Sequence, residues 1–136
     1  MSERLQGWVE CRNSNSYWFH DEWVATINVE SIMNDEDLLI IPSLFPNVIP
    51  PNHTGPLAPG KGLPPDVSEL VAHEAGRWQT PWFCAYLTWA ELVPLRNRQN
   101  FSPDWQLLLE LMRTLAAAYS DANVRLILWT YITDYS

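Results

Sequence analysis

The feature that most constrains this chain is a proline-rich segment in its middle. Residues 46–65 hold seven of the eleven prolines and three of the five glycines. Proline lacks a backbone donor and fixes φ, so a regular helix or a central strand cannot run through such a segment. We therefore predict a long loop at 46–65. Because 136 residues is an ordinary length for one domain, we interpret the loop as part of a single domain spanning residues 1–136.

Two strands are predicted before this loop. Apolar residues recur in segment 5–11 and alternate with others in segment 23–29, with the period of a half-buried strand. The small polar residues at 13–16 favour a turn between them, because their side chains bond to nearby backbone groups. An antiparallel hairpin is the simplest topology that joins the two strands.

Helices are marked by their terminal residues. Asn34 is a good N-cap, and we expect Pro42 and Pro46 to limit a short helix after it. A second helix is predicted from Pro65, and the apolar run 82–87 is typical of a buried strand. A short turn of helix then starts from a capping residue. That residue is Thr88, with Glu91 in the position of a capping box and Pro94 as the stop.

The clearest start signal lies near the C-terminus. Ser102 is a typical N-cap, Pro103 suits the first helical position, and apolar residues follow at helical spacing to about Tyr119. The β-prone run from Val124 to Thr133 predicts a final strand. These elements together predict an α+β fold, in which a small, largely antiparallel sheet carries three to four helices and the longest helix packs on one sheet face.

The charge balance excludes some partners. The chain has 16 acidic and 8 basic residues, a net charge of -8, and one lysine. Extended nucleic acid is not expected as a partner, because binding it needs many cations to displace counterions from phosphates. An acidic surface instead attracts basic proteins. No apolar run is long enough to cross a membrane, and the first residues lack the apolar core of a secretory signal, so we expect a cytoplasmic protein.

No catalytic or metal motif stands out. Cys11 and Cys84 lie in apolar surroundings and are interpreted as reduced core residues, although the sequence leaves a disulfide between them open. His73 and Glu74 do not form a zinc-protease motif, because Arg77 occupies the position of the second histidine. The segment 20–22 (His-Asp-Glu) is better explained as a solvated bend than as a metal fragment. We therefore expect no cofactor and no metal, and nothing in the sequence supports an enzyme.

Tryptophan is in surplus, since the chain has eight. Three are expected in the core, and these are Trp78, Trp105 and Trp129. The remaining five exceed what so small a core can bury, and tryptophan is enriched at interface hot spots. Arg96 and Arg98 form the one local basic cluster without a neighbouring acid, which suits bidentate contact with an anion. The candidate binding residues are Trp18, Trp82, Trp89, Arg96 and Arg98.

Four segments carry a family resemblance. They are Gly-Leu-Pro-Pro-Asp-Val-Ser at 62–68, Trp78, Ala-Tyr-Leu-Thr-Trp-Ala-Glu-Leu at 85–92 and Val-Arg-Leu-Ile-Leu-Trp at 124–129. As a set they resemble a family of uncharacterised small proteins of bacteria and phages. This chain departs from that pattern at 79–84, where relatives tend to carry a histidine. The resemblance covers about half of the chain and implies a phage or mobile-element setting, without an activity.

The leading functional prediction is a non-catalytic interaction protein. Acidic charge, surplus aromatic residues and the lack of a catalytic constellation favour a phage or mobile-element factor that binds and inhibits a host defence protein. The alternative is a small-molecule binder that stacks a nucleotide-like ligand between tryptophans and the Arg96/Arg98 loop. A third hypothesis is an enzyme with unrecognised catalytic residues. The sequence also leaves open whether the protein forms a homo-oligomer.

Overall fold

A computed structural model describes residues 2–13, 22–45, 62–77, 83–95 and 101–133. These residues form four strands and four α-helices, with short 3₁₀ turns between them. The strands are β1 (Ser2–Arg12), β2 (Trp23–Asn28), β3 (Phe83–Thr88) and β4 (Val124–Thr133). The helices are α1 (Ile41–Leu44), α2 (Glu69–Gly76), α3 (Trp89–Leu92) and α4 (Pro103–Tyr119). The 3₁₀ turns span Val29–Ser31, Asp35–Ile40, Val93–Leu95 and Asp121–Asn123.

The four strands form one antiparallel sheet in the order β2-β1-β4-β3. The predicted β1–β2 hairpin pairing is confirmed, and the ladder contains a bulge between Val9 and Glu10. The N-terminal strand and the C-terminal strand lie side by side at the centre, in a register that places Glu10 opposite Arg125. The α+β class and the antiparallel sheet are therefore as the sequence predicts.

The larger core lies on the sheet face that α4 covers. Alternate residues of the central strands, including Val9, Leu126 and Leu128, point into it and are fully buried. The helix contributes apolar side chains at helical spacing. These are Trp105, Leu108, Leu109, Met112 and Ala116. The long helix packs on the sheet as predicted, and Trp105 is a core residue with 1% of its surface exposed.

A second core lies on the opposite sheet face, under α2 and the segment that leads into it. Ile127 and Trp129 of β4 are buried there against Val71 and Ala75 of α2. The Trp129 indole nitrogen donates a hydrogen bond to the Gln6 side chain at 2.9 Å. Both faces of β4 are therefore covered, so its sequence is nearly continuous in apolar residues rather than alternating in polarity.

The start of α4 is tied to the Asp35–Ile40 turn. Ser102 caps the helix by accepting a hydrogen bond from the Trp105 amide at 3.3 Å. Its hydroxyl also donates to the Asp37 carboxylate at 2.6 Å. The Trp105 indole donates to the Asp37 backbone carbonyl at 3.0 Å. The hydrogen bond that protonated Asp104 donates to the nearby Asp37 carboxylate, together with burial and the negative charge of Asp37, raises the pKa of Asp104 above its ordinary value.

Two predicted helix boundaries are wrong. Pro42 does not stop the first helix, since it lies in the first turn of α1, where its missing donor would have no intrahelical partner. The second helix begins at Glu69 rather than at Pro65, because Ser68 is the residue that caps it. By contrast, α3 ends at Leu92, before Pro94, as predicted, and Pro94 lies inside the 3₁₀ turn that follows, Val93–Leu95.

Gly7 permits the close approach of the two central strands. A Cβ at this position would clash with the Ile127 carbonyl oxygen and would lie 2.8 Å from a Leu128 methyl group. The first of these atoms belongs to backbone and cannot move without shifting β4. The register between β1 and β4 therefore depends on glycine at this position.

Ser120 ends α4 in a backbone conformation that favours glycine. Its φ is 87° and its ψ is 158°, a region in which a side chain costs roughly 1–3 kcal/mol. We expect Ser120→Gly to raise the free energy of unfolding by about 1 kcal/mol, measured by urea denaturation. The Ser120 hydroxyl accepts a hydrogen bond from the Asn123 side-chain Nδ2 at 2.9 Å, and losing this bond offsets part of the gain. A lower free energy of unfolding would show that this bond outweighs the strain.

Candidate functional site

Four of the five candidate binding residues lie outside the described residues. These are Trp18, Trp82, Arg96 and Arg98. The fifth, Trp89, begins α3 and lies in the larger core with 3% of its surface exposed. Its ring therefore offers no open face for stacking a ligand, contrary to what the tryptophan surplus suggests. The Arg96/Arg98 binding loop stays a prediction.

The two cysteines are buried free thiols. Cys11 lies in the larger core and Cys84 in the smaller one. Burial raises the pKa of the Cys84 thiol to about 12 and also raises the pKa of Cys11. A thiol with so high a pKa is almost wholly protonated at neutral pH and is a poor nucleophile. Their interpretation as core residues is confirmed.

The histidines do not assemble a site among the described residues. His73 is exposed on α2, while His20 and His53 lie outside the described ranges. No group of three or more His, Cys, Asp or Glu side chains in the described ranges could hold a metal ion. The helices within these ranges are also too short or too polar to cross a bilayer.

A buried ion pair lies on the sheet face that α2 covers. Arg125 of β4 and Glu10 of β1 are cross-strand partners, and their side chains are 5% and 0% exposed. The guanidinium contacts one Glu10 oxygen through both Nε, at 2.8 Å, and Nη2, at 2.6 Å. The second Glu10 oxygen accepts the Ser68 amide at 2.9 Å. Both carboxylate oxygens are therefore bonded, as burial of a charge requires.

The guanidinium also holds Asp66, which lies just before α2. Arg125 Nη1 donates to one Asp66 carboxylate oxygen at 2.8 Å. The other oxygen accepts the Trp23 indole N–H at 3.0 Å. The Asp66 side chain nevertheless keeps 58% of its surface exposed. This carboxylate is thus oriented by two buried donors while it faces solvent.

Two arginines lie over the ring of Trp23. The guanidinium carbon of Arg125 lies 3.8 Å from its ring centroid and that of Arg12 lies 4.7 Å away. Cations over an aromatic ring are attracted by its quadrupole. The Arg12 Nε also donates to the Asn123 side chain at 3.1 Å, next to the start of β4. Only 8% of Trp23 is exposed, so its role is to position Asp66 and Arg125 rather than to stack a ligand.

The charge state of Asp66 follows from these contacts. Burial acts to raise its pKa, but the hydrogen bond and the positive charge of Arg125 outweigh it and hold the pKa below the ordinary value of an aspartate. The Trp23 hydrogen bond acts in the same direction. Asp66 is therefore a carboxylate at neutral pH and remains one in mildly acidic solution.

An open cavity of about 450 Å³ adjoins this network. It lies between the start of β2 and the start of α2. Three of its lining residues are acidic, and all three are exposed. The lining residues are Glu22, Trp23, Asp66, Val67, Ser68 and Glu69. The arrangement provides a concave surface with three carboxylates, one of which is held rigid by buried partners.

The sequence patterns do not predict this site. Glu22 belongs to the segment 20–22, which is predicted to be a solvated bend, and Asp66 belongs to segment 62–68 of the family resemblance. One signal was available, because Glu10 and Arg125 are single charges of opposite sign inside two apolar strand segments. Opposite charges on neighbouring strands favour pairing, but the sequence does not show which strands are neighbours.

Two of the segments that carry the family resemblance meet at this site. Asp66 comes from segment 62–68, and Arg125 comes from segment 124–129. Comparison of the chain with protein-family models, with curated proteins and with solved structures finds no match.

Proposed function

We propose that this chain is a non-catalytic binding protein whose cavity takes up a cationic side chain of a protein partner. The observation that carries the proposal is Asp66. Its carboxylate is fixed through both oxygens, by Arg125 and Trp23, and is still 58% exposed at the cavity. An acceptor that is already oriented loses little entropy when a ligand binds, so more of the interaction energy appears as affinity.

The negative charge of the cavity favours a positively charged ligand. Arg125 and Glu10 compensate each other, and three carboxylates remain along the wall, those of Glu22, Asp66 and Glu69. The net charge of -8 adds a long-range attraction for basic partners. A guanidinium or ammonium group forms charge-assisted hydrogen bonds with carboxylates, whereas an anion would be repelled.

The ionisation state of Asp66 favours a binding role over a catalytic one. A general acid or base works best when its pKa lies near the working pH. The contacts with Arg125 and Trp23 move the pKa of Asp66 away from neutrality. Such a carboxylate is a weak base at neutral pH, but it is a permanent anion and a suitable acceptor for a cation.

The wider proposal concerns the partner. The family resemblance and the acidic charge favour a phage or mobile-element factor that binds a basic surface of a host protein and inhibits it. In that case, a variant in which the cavity carboxylates are neutralised should bind the host protein more weakly. Its inhibition of the host protein should fall in proportion to its affinity.

A titration of small probes tests the cavity. We expect N-acetyl-arginine amide to bind with a dissociation constant of about 1 mM, or about -4 kcal/mol, and to shift the amide resonances of Val67 and Glu69. N-acetyl-citrulline amide has nearly the same shape without the charge and should bind at least about tenfold more weakly, because it loses the charge-assisted bonds. Two-dimensional ¹H–¹⁵N NMR measures both.

Matched variants locate the binding. Glu22→Gln/Glu69→Gln should weaken the arginine probe by about tenfold, because two of the three carboxylates are lost. Glu110→Gln removes another exposed acid, from α4 on the other side of the sheet, and should leave binding at the cavity unchanged. Equal binding of the arginine and citrulline probes, or shifts confined to residues away from the cavity, would contradict the proposal.

A further inference from the structure

The outward face of α4 carries an apolar seam on the side of the molecule opposite the cavity. Leu107 is 52% exposed and Leu111 is 37% exposed, and Thr114 and Ala118 are also exposed. These four residues are spaced by four, three and four positions. This is the alternation of a and d positions by which one helix packs along another. The core-facing residues of the same helix are a separate set, so the seam is not needed for packing on the sheet.

The composition of the seam suits close contact with a second helix. The leucines lie in its first half, while Thr114 and Ala118 are small and let a helix backbone approach. The Thr114 hydroxyl already donates to the Glu110 carbonyl at 3.0 Å. Its methyl group can therefore be covered without leaving a polar group unsatisfied.

Acidic residues border this seam. Asp104 continues the same spacing three positions before Leu107, and Glu110 precedes Leu111 at the edge of the seam. Glu110 is paired with Arg113 at 2.8 Å, but both side chains are more than half exposed, and such surface pairs are weak and exchange partners readily. The border of the seam and the chain as a whole are thus complementary to a basic ligand.

We propose that the seam of α4 (Leu107, Leu111, Thr114 and Ala118) docks an amphipathic helix of a protein partner whose apolar stripe is flanked by lysine or arginine. Apolar contact along the seam supplies affinity, and the acidic border selects basic flanks. A second copy of this chain fits less well, since each copy carries a net charge of -8 and the copies repel each other. This surface is independent of the cavity proposed above.

Two synthetic peptides test the proposal. Each peptide has three heptads with leucine at heptad positions a and d. The first peptide has lysine at positions e and g, and the second has glutamate at the same positions. We expect the lysine peptide to shift the amide resonances of residues 104–118, and to bind at least about tenfold more tightly than the glutamate peptide by fluorescence anisotropy. Leu107→Ala/Leu111→Ala should weaken its binding at least about tenfold. Alanine favours helix, and unchanged circular dichroism verifies that this variant is folded.

The controls separate this surface from others. Leu70 of α2 is 47% exposed on the other side of the sheet, and Leu70→Ala should leave binding unchanged. Equal affinity for the two peptides, shifts confined to the cavity residues, or unchanged binding by Leu107→Ala/Leu111→Ala would each overturn the proposal. So would a dimer of the protein alone, seen by sedimentation, that dissociates in the Leu107→Ala/Leu111→Ala variant, because a second copy would then be the occupant.

Discussion

Glu10→Gln should lower the free energy of unfolding by about 3 kcal/mol, because it removes the charge that compensates a buried arginine. Glu10 is fully buried, and its carboxylate accepts from Arg125 and from the Ser68 amide. Glutamine keeps the size of the side chain but leaves the guanidinium facing a neutral amide, with Asp66 as its remaining anion. Urea denaturation followed by circular dichroism measures the change.

An exposed ion pair provides the comparison. Glu110→Gln removes the same charge from a pair whose side chains are 59% and 54% exposed, and should cost less than about 1 kcal/mol. The double variant Glu10→Leu/Arg125→Met should recover most of the lost stability, because burying two apolar residues avoids desolvation of the charges. If Glu10→Gln cost no more than Glu110→Gln, the buried pair would not contribute to stability in the way its geometry indicates.

Trp105→Ala should lower the free energy of unfolding by about 3–5 kcal/mol. The side chain is 1% exposed in the larger core, and its ring lies 6.0 Å from that of Phe101. Its indole N–H also donates to the Asp37 carbonyl at 3.0 Å, which joins α4 to the Asp35–Ile40 turn. Alanine leaves a large void beneath α4 and removes this link. Chemical denaturation gives the magnitude.

Two further substitutions divide this effect into its causes. Trp105→Phe keeps most of the apolar volume but lacks the indole donor, so its cost should be about 1–2 kcal/mol and come mainly from the unpaired Asp37 carbonyl. Leu107→Ala on the exposed face of the same helix should change stability by less than about 0.5 kcal/mol. Full retention of stability by Trp105→Ala would contradict the packing of α4 on the sheet.

Elements with strong local signals were predictable residue by residue. Ser102 and Pro103 mark the start of α4, and the apolar spacing after them marks the face that enters the core. Thr88 and Glu91 form the expected capping box around the start of α3. These features depend on neighbours within a few positions in the chain, so their physical cause is contained in the local sequence.

Boundaries that depend on packing were less predictable. From the sequence, Pro42 is predicted to end the helix, but the chain changes from a 3₁₀ turn to α1 next to it. The 3₁₀ turn is also stabilised from a distant part of the chain, because Ser102 donates a hydrogen bond to Asp37. In α2, Leu70 is 47% exposed while its neighbour Val71 is fully buried. Which side of α2 is buried depends on how the helix meets the sheet.

The candidate site depends most clearly on tertiary contacts and not on local sequence. Glu10, Asp66 and Arg125 are far apart in the sequence, and the register of β1 with β4 and the position of Ser68 over Glu10 bring them together. The number of tryptophans predicts more of them at the surface than the structure has. Trp23 and Trp89 belong to the five that were expected to exceed the capacity of the core, yet they are only 8% and 3% exposed. Burial on both faces of the sheet provides more room for them than a single core would.

By itself the sequence determined the α+β class, the strands, the long helix and the acidic charge, because periodicity, capping and composition act locally or as sums over the chain. The tertiary structure alone decided the strand order, the two-sided burial of β4 and the exposed carboxylate of Asp66. Those features arise from contacts between residues far apart in the chain, and their free energy depends on burial and distance, which local patterns do not specify.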